Sequence, residues 1–268
     1  MLEVLNLNFM QNALMAGILV SIICGLIGSL IVINRMTFIA GGIAHGAYGG
    51  IGIAFFFSLE PLLGAGAFSL LLALIIATIT LNDKARIDSV IGAIWAFGMA
   101  IGIIFIDLTP GYSSDLMSYL FGSILAVSDT DIYFMSVICV VFTAVIVLFY
   151  RQFVAVSFDS EFASLRGVNT KLFYYILVCM TALCVVATIR VVGLILVIAL
   201  LTIPPYIAQG LASRLGSMML ISALFSAVFC VVGLFLSFWL NLTSGASIIL
   251  VASVCFFVFS IFFRRFRG

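Results

Sequence analysis

Apolar residues in this chain come in nearly unbroken blocks of about twenty. They do not form a stripe along one helix face, and they do not alternate with polar residues. A half-buried strand would show a period of two, and a surface helix would show apolar positions at i, i+3 and i+4. Blocks that are apolar on every side are the mark of helices solvated by hydrocarbon. They run Phe9–Ile33, Phe38–Phe57, Pro61–Leu81, Val90–Ile106, Ile132–Tyr150, Leu172–Thr188, Val191–Gln209, Ser217–Leu240 and Ser244–Phe263. A transmembrane barrel needs strands of alternating polarity, which these are not. The pattern therefore predicts an all-α polytopic transmembrane helical bundle, a single domain over residues 1–268. It has nine spans, or eight if the short block Val191–Gln209 is broken or re-entrant. Pro204-Pro205 near the inner end of that block removes helix hydrogen bonds, so a bend, an end or a gating hinge is expected there.

The breaks between blocks differ in kind. Asn34-Arg35 closes the first span, and Asn82–Ser89 (NDKARIDS) is a charged connector. Asp107–Asp131 is longer and mixed, and its DLMSYLFGSILAVS stretch is too interrupted to span, which suits a helix at the interface. Ser157–Thr170, SFDSEFASLRGVNT, is a polar island between two spans. Ser157 or Asp159 can cap a helix start, and Gly167 suits the position just past a helix end. Asp159 and Glu161 fit the positive end of the helix dipole and Arg166 the negative end. Phe158, Phe162 and Leu165 recur at helical spacing as one apolar face. The expectation is a capped surface helix of two to three turns, serving either as a plain connection or as a lever for a soluble partner.

Composition adds weight to this reading and charge placement gives it a direction. The chain is 65% hydrophobic and 8% charged, outside the range of a soluble domain. Placing the C-terminal Arg264, Arg265 and Arg267 in the cytoplasm also puts Arg35, Lys84, Arg86, Arg151, Arg166, Lys171 and Arg214 there. Only Arg190 falls outside, together with Glu3, Glu60, Asp107, Asp115, Asp129 and Asp131. The N-terminus is then outside, and the island faces the compartment that holds ATP. No cleavable signal is expected, since Met1–Asn8 carries no basic residue. The six cysteines lie in apolar blocks without the spacing of a zinc knuckle and read as small hydrophobes. There is no Gly-x-x-x-x-Gly-Lys-Ser/Thr segment, so any ATP would be used by a separate subunit. Nothing in the charge pattern points to nucleic acid.

His45, the only histidine, lies inside the second span. An ionisable side chain within a membrane is a functional candidate by default, and imidazole suits zinc and related metals. The same span is dense in glycine at Gly41, Gly42, Gly46, Gly49, Gly50 and Gly52, so a neighbouring helix must approach it closely. Asp107 and Asp115 sit at the outer side as candidates for the pore mouth or a docking face, and Arg190 can pair with an outer acid.

Several segments, in order along nearly the whole chain, carry a family resemblance. Asp159, Ala163 and Gly167-Val168 between two spans resemble the coupling-helix loop of ABC importer permeases. Leu116–Val127 (LMSYLFGSILAV), Arg35-Met36 before a helix with Ala44-His45, Val191–Pro204 and Ser244–Val251 are similar to segments of the zinc, manganese and iron ABC permeases. That resemblance implies a non-catalytic membrane subunit in a prokaryotic inner or plasma membrane. It would act as a homodimer surrounded by lipid, with a cytoplasmic ATP-binding-cassette ATPase and an external metal-binding protein. No cofactor would be bound permanently. It also implies import of a divalent metal, zinc first and manganese or iron next, past His45. Asp159, Glu161, Phe162, Ala163, Leu165, Arg166 and Gly167 would meet the ATPase. Those permeases commonly carry an aspartate four residues before the histidine, where this chain has Gly41. That departure keeps a metal chelate or other small organic cargo as an alternative. A transporter driven by an ion gradient would call for acids within the spans, and no span has one at its middle.

Overall fold

The computed structural model describes residues 8–82, 87–109, 122 and 124–267. Its helices are α1 (Asn8–Ile33), α2 (Thr37–Phe56), α3 (Pro61–Asn82), α4 (Ile87–Asp107), α5 (Asp129–Leu148), α6 (Tyr150–Phe158), α7 (Ser160–Leu165), α8 (Thr170–Leu211), α9 (Leu215–Leu240) and α10 (Ser244–Arg267). A 3₁₀ turn occupies Ile124–Ala126, and there is no strand among the described residues. Nine segments among the described residues are long and apolar enough to cross a membrane, with α8 supplying two of them, Thr170–Ile189 and Val191–Leu211. The short seventh block is thus long and apolar enough to be a span of its own. Several polar side chains inside the spans return their hydrogen bonds to their own helix. Ser21 donates to the Gly17 carbonyl, Ser29 to Gly25 and Thr181 to Leu177, each one turn back. No donor is then left facing hydrocarbon at these positions.

The interruption in α8 is not where proline predicts it. Pro204 and Pro205 both lie inside the helix, which runs on to Leu211. The non-helical residue is Gly193, with φ 75° and ψ 164°, a combination open essentially to glycine alone. The expected bend or end at Pro204-Pro205 gives way to packing. A Cβ on Gly28 of α1 would lie 2.8 Å from Pro205 Cγ and 2.7 Å from the Leu201 oxygen, so the proline face is pressed against a neighbouring helix. Neighbouring helices of this kind are what let a membrane helix tolerate proline.

The chain forms two compact units. The first takes Met1–Val32, Met117–Ala144 and Thr188–Gly268. In it α9 packs along α10, and α1 meets α9 so closely that a Cβ on Gly25 would lie 2.6 Å from the Ala223 nitrogen. Asn12 of α1 donates to Asp129 Oδ1 at the start of α5, 2.9 Å away. The second unit takes Ile33–Leu116 and Val145–Ala187. In it α2 packs against both α3 and α4. Lipid supplies no hydrophobic drive between helices, so contact must come from close backbone approach. The glycines of α2 provide it: a Cβ on Gly49 would sit 2.8 Å from the Gly98 oxygen, and one on Gly102 would sit 2.6 Å from the Tyr48 oxygen. The glycine density of the second span thus serves two neighbours, α4 at Gly49 and Gly52 and α3 at Gly46 and Gly50. Two hydroxyl pairs, Thr80 with Tyr174 at 2.8 Å and Thr78 with Tyr175 at 2.9 Å, tie α3 to α8. Both His45 and the polar island belong to this second unit.

Candidate functional site

His45 sits near the middle of α2, where the α2–α4 contact brings it onto Trp95. The two rings are parallel, with centroids 3.9 Å apart and an interplanar angle of 10°. The imidazole Nδ1 is buried and has no hydrogen-bond partner among the described residues. A buried polar atom without a partner carries a desolvation cost that a ligand would relieve. The indole Nε1 is already committed, donating to Met99 Sδ at 3.2 Å one turn along α4. Gly41 lies one turn before His45 on the same helix face. It is buried, yet a Cβ placed there would meet nothing within 4 Å. This face of α2 therefore offers one imidazole and open space.

The island is built as a short rigid piece. Asp159 is the N-cap of α7, and its Oδ1 accepts from the Phe162 amide at 2.9 Å. At the other end Val168 N–H donates to the Ala163 carbonyl and Gly167 N–H to the Ser164 carbonyl, both at 3.0 Å. With Gly167 at φ 82°, this pair of bonds is a Schellman ending, and Ala163 is buried beneath it. The helix is six residues, shorter than the two to three turns expected. The difference arises because Ser157 and Phe158 belong to α6. Ser157 caps nothing in α7; its hydroxyl accepts from Asn34 Nδ2 at 2.9 Å, holding α6 to the turn after α1. Phe158 is likewise not on the α7 face, which consists of Phe162 and Leu165, 51% and 87% exposed. Arg166 lays its guanidinium over the Phe162 ring at 5.1 Å, and Glu161 stands exposed in the first turn. Replacing Asp159 by alanine is expected to lower amide-exchange protection at Phe162 about fivefold, the size of an ~1 kcal/mol N-cap loss. Hydrogen exchange of the membrane-embedded protein checks this.

The remaining predicted residues are dispersed. Asp107 is the exposed last residue of α4. Asp115 and the side chain of Arg190 lie outside the described residues, and with them the expected pairing of Arg190 with an outer acid. Sequence reasoning missed Trp95 and Met99. It also missed a cavity of about 310 Å³ beside the island, lined in part by Asn34, Arg35, Thr80, Ser160, Thr170 and Tyr174. The only signal for Trp95 was its rarity, since the chain has two tryptophans.

Nine candidate spans among the described residues, one of them carrying a buried imidazole Nδ1 without a hydrogen-bond partner, fit a polytopic transport protein. Residues 6–264 match the ABC 3 transport family, and the chain belongs to that family. It is a multi-pass membrane permease of an ABC transport system, a non-catalytic component. An uncharacterized membrane protein of Synechocystis sp. is 48% identical over 99% of this chain and 94% of its own length. MntC of Listeria monocytogenes, a manganese transport system membrane protein, is 33% identical over 95% of this chain and 91% of its own. The structure of PsaBC from Streptococcus pneumoniae in complex with Fab superimposes with a TM-score of 0.86 at 33% identity. It covers 96% of this chain and 93% of that one.

Proposed function

We propose that this permease imports a divalent metal ion, manganese before zinc or iron, by alternating access driven by a separate ATPase. The zinc-first order suggested by resemblance changes because a 33% identical relative over nearly the whole chain is named for manganese. The observation that carries the metal reading is the buried, unpartnered Nδ1 of His45 in the middle of a span. Imidazole nitrogen suits first-row divalent ions, and a single such ligand binds weakly enough to let the cargo leave.

In this reading two copies of the chain enclose the path, with an external binding protein delivering metal and ATPases on the cytoplasmic side. The C-terminus is cytoplasmic. Leu165 and Phe162 enter the ATPase surface, with Arg166 and Glu161 as charged flanks and Asp159, Ala163 and Gly167 keeping α7 stiff. A helix fixed at both ends transmits displacement, whereas a floppy loop would absorb it. Displacement of α7 reaches α8 through the short link ending at Asn169, whose side chain accepts from the Leu172 amide at 3.1 Å. The hydroxyl pairs then link α8 to α3, which packs on the His45 helix. Asp107, Asp115 and Arg190 are candidates for the outer mouth.

The test is uptake of radiolabelled manganese, zinc and iron by proteoliposomes holding the complete transporter. His45→Ala is expected to lower manganese uptake at least tenfold, about the 1.4 kcal/mol of one lost weak ligand, at normal protein level. Wild-type uptake with unchanged metal preference would remove His45 from the path. Metal uptake by the chain reconstituted without any ATPase would remove the permease mechanism itself.

A further inference from the structure

We infer that Trp95 is a positioning residue for metal transfer, holding the His45 imidazole in a fixed plane and favouring its metal-loaded form. The inference rests on the assignment of His45 as a transient ligand. Three features of the stack go beyond simple filling. First, the rings are parallel within 10° at 3.9 Å, so rotation of the imidazole out of its plane would drive it into the indole. Second, the indole is itself anchored. Its Nε1 is held by Met99 Sδ at 3.2 Å, and Phe38 stands against it with centroids 6.4 Å apart at 49°. With the N–H committed, Trp95 shows His45 only its π face. Third, the helices bearing the two rings are in backbone contact, with Gly49 against the Gly98 oxygen and Gly102 against Tyr48. The spacing between imidazole and indole is thus set by the main chain.

The π face of tryptophan carries negative quadrupole density and attracts positive charge. A neutral imidazole gains little from it. An imidazole that has donated its lone pair to a divalent cation is electron-poor and gains more. The stack therefore stabilises the loaded state over the empty one and spares the loaded ligand the entropy of fixing its ring. Leucine at this position would fill much of the volume with no π face, and phenylalanine would keep a face but lose the bond to Met99.

The experiment measures manganese KM and maximal uptake rate in proteoliposomes with the complete transporter, for wild type, Trp95→Leu, Trp95→Phe and His45→Ala. Manganese binding to each purified transporter is measured in parallel. Trp95→Leu is expected to raise KM and weaken binding about three- to tenfold with the maximal rate little changed, in line with a cation–π contribution. Trp95→Phe is expected to stay within about twofold of wild type. In a His45→Ala background, Trp95→Leu should change manganese binding no further, because the two act through one another. Three results would overturn the inference: equal losses in the Phe and Leu variants, a loss confined to maximal rate, or an undiminished Trp95→Leu effect without His45. If His45→Ala has no effect on uptake or binding, the metal reading fails. If only the Trp95 variants are silent, the positioning role alone fails.

Discussion

Replacing Gly167 by proline is expected to abolish manganese uptake by the complete transporter while leaving the chain in the membrane at its normal level. Gly167 stands at φ 82°, whereas the proline ring requires φ near −65°, so the left-handed ending of α7 cannot form. Proline also lacks the N–H that Gly167 donates to the Ser164 carbonyl at 3.0 Å. The second Schellman bond, from Val168 to Ala163, depends on the same turn and would be lost with it. None of this touches a span. A Cβ on Gly167 would meet nothing within 4 Å, so the damage is conformational and local. That openness makes Gly167→Ala a graded control, with about 1–2 kcal/mol of left-handed strain and no lost hydrogen bond. The expected order of uptake is wild type, then Ala reduced a fewfold, then Pro below about a tenth. ATP hydrolysis by the assembled complex should persist in the proline variant but no longer respond to the loaded binding protein. Wild-type uptake by the proline variant at normal membrane level would show that α7 is a plain connection.

How far the sequence could be read follows from the range of the forces involved. Spanning segments were legible because hydrocarbon imposes a local rule of about twenty apolar residues, and all nine blocks correspond to candidate spans with ends shifted by a few residues. The caps of α7 were legible for the same reason: Asp159 and Gly167 act on backbone groups within five residues of themselves. Ser157 misled because its partner, Asn34, is 123 residues away and the α6 helix runs through it. Gly193 gave no warning, being one of 23 glycines. The two adjacent prolines gave a strong local signal that the tertiary packing on Gly28 absorbs. The His45–Trp95 stack required knowing which helix the glycines of α2 would meet. The density of glycine announced close neighbours but could not say that they were α3 and α4.

The space beside Gly41 is where the site can be changed most. Gly41→Asp is expected to be accepted without loss of folded protein, because a Cβ there has nothing within 4 Å and the residue it replaces is the poorest non-proline helix former. Residues 41 and 45 share a helix face, so the new carboxylate and the imidazole would flank the same space. A carboxylate within the membrane is costly unless paired, and the passing cation is the partner at hand. Loaded and empty states are therefore affected in opposite directions. Binding should tighten at least tenfold, seen as a lower manganese KM, while maximal uptake falls because the ion leaves more slowly. Gly41→Asn has nearly the same shape without the charge, and its KM should stay within about twofold of wild type. The contrast between the two variants separates charge from bulk. A normal membrane level with equal KM values in both would place the open space off the ion's path, leaving His45 as the single ligand met along α2.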